Sequence, residues 1–123
     1  MFSFWGCVVM MTVKNCYKGI GDYDRMSACF HTDEKISRFL GLFLKDDNYT
    51  KLEKALKEGN VEDAFIAAHT LKGVCQNLAL DPLYEADVLV TEALRAKNLP
   101  LAKEHFPKVE KEFHKAFDRI SQL

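Results

Sequence analysis

Residues 60–83 read N-V-E-D-A-F-I-A-A-H-T-L-K-G-V-C-Q-N-L-A-L-D-P-L, and the fold is decided by this stretch. It opens on Asn60, whose side chain can accept from the free N–H groups of a helix start. It ends at Asp81-Pro82, which offers the start of another helix. At about 100° per residue, Ala64, Ala67, Leu71, Val74, Cys75 and Leu78 gather on one arc, the pattern of a helix with a single core face. His69 falls nearly opposite that arc and is predicted to face away from the core.

The same period recurs on both sides. Thr32 can cap a helix in which Ile36, Phe39, Leu40, Phe43 and Leu44 form one core stripe, with Asp33 and Glu34 at the positive end of its dipole. Asn48 can cap a segment built on Leu52, Ala55 and Leu56 that Gly59 closes. Asp81 is the expected cap of a helix buried through Leu83, Ala86, Val90 and Leu94. Leu101–Ile120 repeats Val109, Phe113, Phe117 and Ile120, with Pro107 either kinking or restarting it. Upstream, Val13, Cys16, Tyr17 and Ile20 give a short lead-in helix, stopped by Gly21 in the left-handed conformation. No run shows the alternation of a strand, and every break is short. The expected fold is therefore all-α: a four-helix up-down-up-down antiparallel bundle with a short N-terminal lead-in helix.

A chain of 123 residues fits one domain, expected over 12–123, with residues 1–11 an extension that either packs on it or frays. Met1–Val13 is apolar but lacks a basic start and a cleavage site, and it is too short to span a bilayer, so neither secretion nor a membrane anchor is expected. Apolar residues at 48% and charged residues at 28% describe a folded chain, and a net charge of −1 excludes the broad basic field of a nucleic-acid binder. Cys7, Cys16, Cys29 and Cys75 form no CxxC pair and no metal-ligand spacing, which suits free thiols in a reducing cytoplasm. Cys75 is expected as a buried thiol, and His31, His105 and His114 as surface or loop residues.

Around His69 the sequence stops being generic. Lys72, Gly73 and Gln76 follow it by three, four and seven places and Phe65 precedes it by four, so all share its face. Gly73 is anomalous there, because glycine inside a helix costs about 1 kcal/mol relative to alanine. A neutral imidazole nitrogen is a competent nucleophile near physiological pH, and an anionic group placed on it can be offset by Lys72. Gln76 can bond either the ring or the attached group, while Phe65 and Ile66 supply an apolar rim for a docking partner.

H-T-L-K-G at 69–73, with Leu78-Ala79 further on, resembles the histidine-containing phosphotransfer (HPt) domain, whose pattern is His-x-Leu-Lys-Gly and later Leu-Gly. Asp81-Pro82 and the run F-L-G-L-F-L at 39–44 are similar to free-standing bacterial members, and the likeness covers Thr12 to the C-terminus. The resemblance implies a four-helix bundle whose His69 accepts a phosphoryl group from a receiver aspartate or a kinase and hands it on. Lys72 would be its charge partner and Gly73 the gap that admits the receiver. The implied partners are response-regulator receiver domains and a hybrid sensor histidine kinase. No cofactor is implied for this chain, because the magnesium would belong to the receiver's acidic pocket. No Gly-x4-Gly-Lys loop occurs, so no ATP-dependent kinase activity is expected, and the chain is expected to be a cytoplasmic monomer. Ala79 departs from the family's glycine, which predicts a different turn after the helix.

Two other readings compete. One is an adaptor that binds receiver or kinase domains through Phe65 and Ile66 without phosphoryl chemistry. The other, an enzyme with His69 as general base, ranks last because no second catalytic group is paired with it.

Overall fold

The computed structural model describes residues 11–123, and the regular structure among them is entirely helical. The elements are α1 (Val13–Cys16), α2 (Tyr23–Phe30), α3 (Asp33–Lys45), α4 (Asn48–Glu58), α5 (Val61–Asn77), α6 (Asp81–Arg95) and α7 (Leu99–Ile120). The expected extension lies outside the described residues except for Met11, which packs on the core.

Helices α4 to α7 pack in succession, and α7 also meets α4 and α3. Residues 59–60, 78–80 and 96–98 make the connections, too short for anything except neighbours that run back along one another. The helix count thus exceeds four plus a lead-in. The segment after Gly21, to which the sequence pattern assigns no helix, forms α2, capped by the Asp22 side chain, which accepts from Arg25 N.

All three helices α4, α5 and α6 end in the same way. Gly59, Ala79 and Lys97 take positive φ (72°, 56° and 56°), and the next amide donates back to the carbonyl five residues earlier: Asn60 to Ala55, Leu80 to Cys75, Asn98 to Ala93. This closure satisfies carbonyls that a helix end leaves free. Only Gly59 adopts it without a Cβ penalty. Ala79 takes this left-handed conformation although it carries a Cβ.

That turn is braced from the N-terminal side. Tyr17 Oη donates to the Leu78 carbonyl at 2.9 Å, and Asp22 N donates to the Ala79 carbonyl at 3.0 Å. Arg25 pairs with Asp81 at 2.5 Å. Gly21 lies against it so closely that a Cβ there would stand 2.2 Å from the Ala79 oxygen. Gly21→Ala is therefore expected to destabilise the protein by ~1–3 kcal/mol, the usual range for forced overpacking, read as a lower urea midpoint at unchanged m-value.

Several local expectations are corrected. Gly19, not Gly21, takes positive φ in the lead-in turn, since α1 ends at Cys16 and the chain reverses early. Asp47 precedes α4, and Asn48 is its first residue, its N–H taken by the Asp46 carboxylate. Asp81 is the first residue of α6 instead of its cap, because its carboxylate is turned to Arg25. Phe39 is 41% exposed and packs on Phe30 at 4.6 Å instead of joining Ile36, Leu40 and Phe43 in the core. Pro107 lies within an unbroken α7 and does not restart it. Asn60 and Thr32 cap as expected, accepting from Asp63 N and Lys35 N.

Candidate functional site

The site rides on α5. Ala64, Ala67, Ala68, Leu71 and Cys75 are buried along one side, with Val74 half-buried at its edge, and this anchors the helix so that His69 projects outward and is exposed. Lys72 and Gly73 are half-buried beside it, Gln76 is exposed two turns on, and Ile66 is 62% exposed. The expected face is thus assembled. Among the described residues, however, no hydrogen bond ties the His69 ring to Lys72 or Gln76.

What the ring does touch is Phe65. The two rings stack with centroids 5.7 Å apart and planes 15° apart, the i, i+4 neighbour relation of a helix. Over the Phe65 ring lies the Arg95 guanidinium, from the last turn of α6, with Cζ 5.0 Å from the centroid. Arg95 is held there by Glu92, whose carboxylate oxygens accept from Nε at 3.2 and 3.3 Å. A cation over a benzene face contributes about 0.5–1 kcal/mol at exposed sites. Next to this column, Val61, Phe65, Ile66, Leu94, Arg95 and Lys97 line a shallow groove of about 430 Å³ between α5 and the end of α6.

Gly73 carries no packing duty. A Cβ placed there would meet nothing within 4 Å, so no neighbouring side chain requires the glycine. Its absent side chain leaves free space one turn beyond His69.

Beneath the face lies an acid that sequence reading did not single out. Asp87 on α6 is fully buried, and neither carboxylate oxygen has a hydrogen-bond partner. Burial pushes its pKa up to about 8. The Thr91 hydroxyl and the Lys72 ammonium oppose that rise, although Thr91 stays outside hydrogen-bonding geometry. Burial and then the Asp87 charge also push the Cys75 thiol well up, so it is no thiolate nucleophile at neutral pH. Asp87 and Thr91 share the arc of Leu83, Ala86, Val90 and Leu94, so a wheel drawn for α6 would have exposed both as polar groups in a core stripe. Arg95 had no comparable signal, because the register between helices is not written in one sequence. His31, His105 and His114 lie apart from the site: His31 holds the left-handed cap of α2, and His114 meets Tyr49 edge-on.

Among protein families, residues 40–123 match the model described as Hpt domain, more than half of the chain. The chain belongs to that family, whose domains act generally as histidine phosphotransfer carriers in phosphorelays, and not as kinases. Comparison with curated proteins and with solved structures finds no significant match. No helix among the described residues is long and apolar enough to cross a membrane.

Proposed function

We propose that this protein is a phosphorelay intermediate that accepts a phosphoryl group on His69 and passes it to or from a receiver-domain aspartate. The observation that carries this reading is an exposed imidazole at the centre of a rigid helix, flanked by a lysine and by a glycine that packing does not need. A ring nitrogen lone pair attacks the phosphorus of the aspartyl phosphate. The P–O bond to the aspartate breaks, the carboxylate leaves with the electron pair, and the proton on the other ring nitrogen can pass to water. Lys72 offsets negative charge on the transferred group, and the reverse sequence returns it to a receiver. Gln76, two turns on from His69, hydrogen-bonds the phosphorylated ring.

Phe65, Ile66 and the groove beside them form the rim on which a receiver docks. Helices α4 to α7 are the up-down bundle, within a domain running from 12 to 123 after an extension of residues 1–11. We read the chain as a cytoplasmic monomer with receivers and a hybrid sensor kinase as its partners. It needs no cofactor of its own, the magnesium being held by the receiver.

Incubation with a phosphorylated receiver and Mg²⁺ tests this: acid-labile, base-stable label must appear on the protein, and its absence would end the proposal. Gly73→Leu separates access from folding. It removes an unfavourable glycine worth up to about 1 kcal/mol, so melting temperature holds or rises, while the new side chain obstructs the receiver and transfer slows. Unchanged transfer in that variant would show that the glycine gives the partner no passage.

A further inference from the structure

The family relation says nothing of how the His69 ring is aimed, and the hydrogen bonds that would do so are absent among the described residues. An exposed histidine on a helix is ordinarily free to change rotamer. Here Phe65 stacks near parallel to the ring, and the Arg95 guanidinium lies over Phe65 with Cζ 5.0 Å from its centroid. Arg95 is itself clamped by Glu92 three residues earlier.

We infer that Arg95 and Phe65 are positioning residues for phosphoryl transfer: a guanidinium–phenyl–imidazole column that links α6 to α5 and fixes the plane of the His69 ring. This rests on His69 being the phosphoacceptor. Phe65 is half-buried and packs against the core, so it is the stiff member, and Arg95 holds it from the neighbouring helix. Neither residue touches the phosphoryl group. Beyond any share in docking, their effect is on the fraction of time that a ring nitrogen points along the line of attack, which acts on the rate within the complex. Misplacement of a reacting group by about 1 Å can lower a rate by about 100-fold, so loss of one support is expected to give about tenfold.

The test uses the full chain and two readouts. Proton NMR of the imidazole reports the stack directly, since ring protons over a phenyl face are displaced upfield, and it requires no phosphorylation. Receiver-to-protein transfer at varied receiver concentration then separates the saturating rate from the half-saturating concentration. In Phe65→Leu the upfield displacement is lost and the saturating rate falls about tenfold, while the half-saturating concentration also rises because Phe65 belongs to the docking rim. Phe65→Tyr restores displacement and rate, and Arg95→Gln gives a smaller loss of each.

An unchanged imidazole spectrum in Phe65→Leu would overturn the column. So would an effect confined to the half-saturating concentration, which would make Phe65 a docking residue only. If the wild type takes no label, the phosphoacceptor reading fails and the role in transfer with it. If the wild type is labelled and the variants match it, only the positioning role fails.

Discussion

His69→Gln abolishes phosphoryl label while the protein stays folded and still binds its receiver. The carboxamide of glutamine has no nucleophilic nitrogen lone pair, since that pair is delocalised into the carbonyl, so the expected loss is complete and not graded. The fold has little reason to respond. His69 is exposed, glutamine is at least as good a helix former as histidine, and surface changes of this kind lie within about ±0.5 kcal/mol. The stack on Phe65 adds at most about 0.5–1.5 kcal/mol to that figure. Label and thermal melting are measured on the same preparation. Base-stable label surviving in the variant would move the acceptor to His31, His105 or His114. Signalling that survives without label would favour the adaptor reading, in which Phe65 and Ile66 act without phosphoryl chemistry.

The parts of this protein that were legible in its sequence are those set by local periodicity and by side chains acting on their own backbone. The arc of α5 and the outward place of His69 follow from spacing alone, and Asn60 and Thr32 cap where their side-chain chemistry allows. Expectations failed where a distant partner intervened. Asp81 has the chemistry of a cap, but Arg25, 56 residues away, holds its carboxylate. Gly21 has the chemistry of a left-handed stop, but its role is to let the chain approach the Ala79 carbonyl. Phe39 fits the core stripe by period, yet α2, which has no strong sequence signal, supplies Phe30 to hold it at the surface. The site divides in the same way: His69, Lys72, Gly73, Gln76 and Phe65 share one helix and were visible together, while Arg95 and Asp87 enter from α6.

Asp87 yields the largest effect on stability and gives it a definite dependence on pH. In the unfolded chain its carboxyl titrates at the ordinary aspartate value of 3.8, and in the folded protein it is pushed up to about 8. Between those values the folded state holds a proton that the unfolded state has released. Stability therefore falls with rising pH: the contribution of Asp87 is fully present below about pH 4 and is lost as pH rises through about 8. A shift of this size, at about 1.4 kcal/mol per pKa unit, corresponds to several kcal/mol at the alkaline end. Asp87→Asn keeps the shape and removes the titration. Urea unfolding of both proteins across this range should show a stability difference that slopes steadily in favour of the variant towards alkaline pH, the exposed ion pairs such as Arg25–Asp81 cancelling between them. The buried amide still lacks partners, which costs about 1–3 kcal/mol at every pH and displaces the difference without tilting it. A difference that stays level with pH would mean that the carboxylate is hydrated or paired in solution, and that the interior beneath Lys72 is open to water.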